Sequence, residues 1–193
     1  MKRIAVYCGS ASPADPVYVE SARHVGRSLA ERGIGVVYGG GKLGLMGAVA
    51  DSALEAGGEV IGVIPQALVN AEVAHRGLTE LHVVQTMHER KALFTDLADG
   101  FVNLPGGTGT MDELWEALSW AQLGYHADPI GLLNIAGYYD KLVEFWEHMG
   151  RVGFVRPQHQ GLLLVDGDLD GLLDKMTNFE PAVPIIRMAR EEL

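Results

Sequence analysis

The sequence predicts an α/β protein: a doubly wound, mostly parallel sheet of about seven strands with helices on both faces. Three observations carry that prediction. Short β-branched and apolar runs recur at 3–9, 35–40, 59–65, 80–85, 100–106, 129–134 and 162–167, each bounded by glycine or proline and followed by a stretch with helical spacing. Runs such as Ile4-Ala5-Val6-Tyr7-Cys8 and Val60-Ile61-Gly62-Val63-Ile64 are almost continuously apolar, as strands are when both sheet faces are covered. Several strand exits are small and rich in backbone, and ligands of open parallel sheets sit beyond those carboxyl ends.

Taken in order, the first run exits through Cys8-Gly9-Ser10. Cys8 has no activating partner in the sequence, and small-residue packing accounts for it as well as nucleophilic attack does. The second run enters Y-G-G-G-K-L-G-L-M-G, 38–47, with Leu45, Met46, Val49, Ala53 and Leu54 keeping helical spacing beyond it. Glycines there would let the amides of Gly40 and Gly41 approach an anion at a helix start. Gly39, Gly41 and Gly44 match G-x-G-x-x-G, but the third run closes on Ile64-Pro65-Gln66, without the acid that a dinucleotide ribose requires. A Walker loop fails as well, because Leu43 follows Lys42. Tight strand-to-helix packing is the competing reading. The segment 66–79 has no helical stripe and reads as an irregular surface connection.

The fourth run leads into T-M-H-E-R-K, where Arg90 precedes Leu93 and Phe94 by three and four residues and so points near a buried face, where an arginine normally has an anion or carboxylate partner; snorkelling to solvent is the competing reading. Lys91 reads as an outer charge. The fifth run leads into P-G-G-T-G-T-M-D-E, 105–113, and Met111, Leu114, Trp115 and Leu118 supply the buried stripe of the next helix. Here Gly106, Gly107, Thr108, Gly109 and Thr110 form a second anion cradle, and two cradles at neighbouring strand ends would share one phosphate or hold the phosphate and sugar of one mononucleotide. Glu113 has two readings. Thr110-x-x-Glu113 is a capping-box string; alternatively, a carboxylate beside a phosphate loop faces a cationic transition state. Asp112 and Glu116 read as solvated acids. The sixth and seventh runs complete the sheet, and the tail after Asn178 reads as a peripheral extension or an arm onto a partner subunit.

A length of 193 residues fits one domain, 1–178, with an extension at 179–193. The net charge of −10 without any Lys/Arg block argues against nucleic acid or an anionic membrane as partner, so a bound anion must be captured locally. One cysteine, no signal-peptide core and no apolar stretch of about 18 residues fit a soluble cytoplasmic protein. The seven histidines lack metal-ligand spacing, and neither a metal nor a cofactor is expected.

The motifs Y-C-G-S, G-G-G-x-x-G-L-M-G, M-x-x-R-K, P-G-G-x-G-T-x-x-E and W-x-Q-L-G occur in order over 2–177, and with them the chain resembles the Lonely Guy family of cytokinin riboside 5'-monophosphate phosphoribohydrolases. The resemblance implies a Rossmann-like fold, a homodimer with its site near the subunit interface, and hydrolysis of the N-glycosidic bond of a nucleoside 5'-monophosphate. It places the catalytic pair on Arg90 and Glu113. The base pocket is expected to draw on Ser10, Met87 and Trp120, and Lys91 to join the glycine loops in holding substrate. A general purine 5'-monophosphate nucleosidase and a non-catalytic nucleotide carrier are the competing functions.

Overall fold

A computed structural model describes residues 1–70 and 74–186. Seven strands form one all-parallel sheet: β1 (Arg3–Tyr7), β2 (Gly35–Tyr38), β3 (Val60–Pro65), β4 (Glu80–Val84), β5 (Phe101–Asn103), β6 (Ile130–Leu133) and β7 (Leu163–Asp166), in the order β4-β3-β2-β1-β5-β6-β7. Between them run α1 (Pro16–Glu31), α2 (Gly44–Glu55), α3 (Gln66–Asn70), α4 (Met87–Leu97), α5 (Thr108–Leu123) and α6 (Asp140–Arg151), and α7 (Leu169–Thr177) follows the last strand.

The alternation of strand side chains assigns each helix to a face. Ile4 and Val6 of β1 pack with Val25 and Leu29 of α1, Val49 of α2 and Leu172 of α7. Ala5 and Tyr7 face Phe94 of α4, Leu118 of α5 and Trp146 of α6. Both faces are therefore covered, which is why the strands read as unbroken apolar runs. Gly26 lets α1 and α2 approach closely, since a Cβ there would collide with the Val49 carbonyl.

From β1 the chain winds outward through β2, β3 and β4, then returns to the other side of β1 as β5. The topological switch point thus lies between β1 and β5, and their carboxyl ends mark where a ligand is expected. The two glycine-rich exits do not lie on adjacent strands, as the sequence suggests; β1 separates them. Nor is 66–79 wholly irregular. It starts with the short α3; beyond it Ala74 bridges Gly41, and the His75 amide donates to the Gly40 carbonyl at 2.8 Å. Ala74 and His75 therefore strap the β2 exit. Among the described residues, no helix is long and apolar enough to cross a membrane.

Candidate active site

A cavity of about 440 Å³ opens beyond the carboxyl ends of β2, β1 and β5, within the size range of small-molecule sites. Its walls are Cys8, Gly9 and Ser10 from the β1 exit, Gly39, Gly41, Leu43 and Met46 around the start of α2, Ile64 of β3, Leu68 of α3, Arg90 of α4, and Gly107 to Thr110 with Glu113 of α5.

Arg90 is delivered by a well-defined helix start. Thr86 caps α4, accepting from the Glu89 amide at 3.1 Å, while the Glu89 carboxylate accepts from the Gln85 amide at 2.8 Å. One turn in, the Arg90 side chain is 10% exposed. Its Nε donates to the Val63 carbonyl at 3.1 Å, Nη2 donates to the Gly39 carbonyl at 3.4 Å, and the guanidinium carbon lies 5.2 Å from the centre of the Phe94 ring. Gly39 makes room for it: a Cβ there would collide with Arg90 Nη2.

Glu113 faces that guanidinium, with Oε1 3.6 Å from Arg90 Nη1 and the carboxyl side chain 11% exposed. Burial raises its pKa to about 7, and the opposing pull of Arg90 does not compensate. The physical reason is that the Arg90 charge is shared with two carbonyl oxygens and meets the carboxylate at the long end of ion-pair range. The capping-box reading of Thr110 and Glu113 fails, because α5 begins two residues earlier, with Gly107 as N-cap, and Thr110 is buried inside the first turn. Cys8 lines the cavity as a neutral thiol, since burial and then the nearby Glu113 carboxylate push its pKa up.

The two glycine exits differ in what they offer an anion. At α2 the first amides are already engaged: those of Leu45 and Met46 donate to the Gly9 carbonyl at 3.1 and 3.3 Å. Gly44, at φ +61°, sits against the Ser10 carbonyl where a Cβ would collide. Tight packing therefore explains much of this loop. At α5 no side chain caps the helix, and Thr108, Gly109 and Thr110 belong to the first turn, whose amides have no intrahelical acceptor.

Of the residues singled out in the sequence, the structure brings Ser10, Gly41, Arg90, Gly107, Thr108, Gly109, Thr110 and Glu113 to one cavity. Five others lie outside its walls. Gly40, at φ +70°, turns against Ile64 and Leu81, and Gly106 is packed onto Thr110 and Gly9. Met87 is exposed at the first position of α4. Lys91 Nζ turns to α5, 2.8 Å from Asp112 and 3.2 Å from Glu116. Trp120 packs on Tyr125 and is likewise outside the walls. Sequence reasoning missed the apolar side formed by Leu43, Met46, Ile64 and Leu68; Met46 and Ile64 were legible only as generic core positions.

Comparison with known proteins agrees with the motif reading. The family described as possible lysine decarboxylase matches residues 46–176. A probable cytokinin riboside 5'-monophosphate phosphoribohydrolase of Oryza sativa subsp. japonica is 44% identical over 180 residues, covering 93% of this chain and 79% of that protein. The cytokinin riboside 5'-monophosphate phosphoribohydrolase of Rhodococcoides fascians is 43% identical, covering 89% and 87%. Among solved structures, a molybdenum cofactor carrier protein from Chlamydomonas reinhardtii superposes with a TM-score of 0.68 at 22% identity, covering 91% of this chain and 96% of that one. That likeness speaks to the fold alone.

Proposed function

We propose, from the premise that the chain belongs to the Lonely Guy family of phosphoribohydrolases, that it hydrolyses N6-substituted AMP, and AMP itself, to the free base and ribose 5-phosphate. The observation that carries this reading is the Arg90–Glu113 pair facing one cavity with the uncapped first turn of α5. The 5'-phosphate binds the amides of Gly107 to Thr110, where the helix start contributes about half a positive charge. Anchored there, the substrate presents its ribose toward Glu113. As the bond from C1' to the base breaks, its electron pair leaves with the base and positive charge develops on the ribose ring. Glu113 stabilises that charge and accepts the proton of the water whose oxygen bonds to C1', while the departing base takes up a proton from solvent and Glu113 later returns its own to solvent, so that one water is consumed overall. Arg90 holds the carboxylate and a sugar hydroxyl in register. A pKa of about 7 suits a carboxylate that works as a base near neutrality.

The apolar wall of Leu43, Met46, Ile64 and Leu68 suits the base and its substituent. Leu43 and Leu68 are also about half exposed, as fits a homodimer with the cavity beside the subunit contact. Chromatography of base release from N6-isopentenyl-AMP and AMP tests the activity. Glu113→Gln and Arg90→Ala should each lower kcat at least about a hundred-fold, while equal, slow release by wild type and variants overturns the assignment.

A further inference from the structure

Outside the cavity walls, two successive tyrosines are bonded to the backbone that leads into α5. Tyr139 Oη donates to the Leu104 carbonyl at 2.6 Å, and Tyr138 Oη donates to the Gly106 carbonyl at 2.7 Å. Between them, the Pro105 carbonyl accepts from the Gly9 amide at 3.1 Å. Three consecutive carbonyl oxygens at the β5 exit are thus held by donors from other elements. A trans peptide sets its C=O and N–H on opposite sides. Tyr138 does not line the cavity and Gly107 does, so holding the Gly106 oxygen toward Tyr138 fixes the Gly107 N–H in the opposite sense. The pair Gly106-Gly107 has no Cβ to resist rotation of that peptide, and a flipped peptide would aim a carbonyl dipole at any anion in the cradle.

The segment that delivers the tyrosines is itself strained. It follows β6, the neighbour of β5, and within it Ala136 has φ +50° and Gly137 φ +73°; Ala136 is the one non-glycine residue with positive φ among the described residues. Such a conformation is disfavoured for an L-residue and persists where its surroundings enforce it. Here Asn134 Oδ1 accepts from the Tyr139 amide at 2.7 Å, and the Tyr138 ring stands edge-on to Tyr139 and Tyr18, with centroids 4.8 and 5.8 Å apart. We infer that Tyr138 is a positioning residue of the anion cradle: through the Gly106 carbonyl it keeps the Gly107 amide turned into the cavity for an oxyanion.

The inference rests on the phosphate-binding part of the proposed function, and its test separates the two. Tyr138→Phe keeps the ring contacts of a side chain that is 45% exposed and removes only the donor. Titration calorimetry of wild type and variant with inorganic phosphate should show binding weakened roughly three- to ten-fold, the size of one hydrogen bond. KM for the nucleotide should rise by the same factor with kcat nearly unchanged, while the inhibition constant of the corresponding nucleoside, which lacks the phosphate, stays constant. Unchanged phosphate binding, or equal weakening of the nucleoside, overturns the role of Tyr138. Absence of base release by wild type would instead sink the hydrolase reading, and the phosphate titration would still decide the role of Tyr138.

Discussion

Glu113 is placed where its ionised form is useful and costly at once. Its pKa in the folded chain is raised from 4.5 to about 7, chiefly by burial. A folded-state pKa above the unfolded one means that the native protein binds the proton more tightly, so this contribution to stability is complete below pH 4.5 and is lost as pH rises through 7. The loss amounts to about 3 kcal/mol across that window. Urea unfolding of wild type and Glu113→Gln at several pH values should show wild type losing stability against the variant between those limits and no further above them; parallel curves would disprove the raised pKa. Arg90 and Glu113 were legible in the sequence because a charge beside an apolar stripe or glycine loop is conspicuous one residue at a time. Gly39 and Tyr138 were not. The reason for Gly39 is an arginine 51 positions away, and that for Tyr138 is a carbonyl 32 positions away.

At the scale of elements, the same four-residue string has opposite meanings in α4 and α5. Thr86-x-x-Glu89 caps a helix, with both side chains bonded to amides at its start. Thr110-x-x-Glu113 lies inside a helix already begun at Thr108, which frees the second glutamate for the cavity. A local string cannot show where the helix begins; the two glycines before Thr108 carry the start one turn back. Lys91 then ties α4 to α5 through Asp112 and Glu116, beside the Arg90–Glu113 pair. Glu113 is faced by Arg90 and Lys91 of α4, by Asp112 and Glu116 on its own helix, and by Tyr7 of β1 and Cys8 just beyond it. Lys91→Met leaves two carboxylates unneutralised near Glu113, and these disfavour its ionisation. The acid limb of the kcat profile should therefore move to higher pH, by up to about one pH unit, whereas Lys91→Arg should restore it. If Lys91 met the substrate directly, KM would rise with the limb unmoved.

For the whole molecule, the parallel sheet of seven strands was legible because burial on both faces leaves continuous apolar runs, whereas strand order was not, because short crossovers leave no local trace of the side to which the chain returns. That gap matters at the site. With β1 between the two glycine exits, the Gly9 carbonyl occupies the first amides of α2 and leaves α5 as the open helix start. The C-terminal stretch shows the same dependence on distant contacts. Read from sequence as a peripheral extension or an arm, 179–186 lies along its own chain: buried His159 bonds through Nε2 to the Val183 carbonyl at 2.9 Å, and the Ile185 amide donates to the Gln122 carbonyl at 2.7 Å. Phe179 and Ala182 pack on the core layer that contains Leu118 and Trp146. Deleting 179–193 removes the partner of a buried imidazole, about 1–3 kcal/mol, and takes the Phe179 ring off the core layer it packs on, about 1–2 kcal/mol. A Tm lower by roughly 5–15 °C follows for a chain of this size. These contacts fall on His159, on α6 and on the C-terminal half of α5, whereas the cavity uses the first two turns of α5, so well below that Tm the truncated protein should retain the KM and kcat of the full chain. Loss of nucleotide binding in a folded truncation would show that the tail reaches a cavity, its own or that of a second copy.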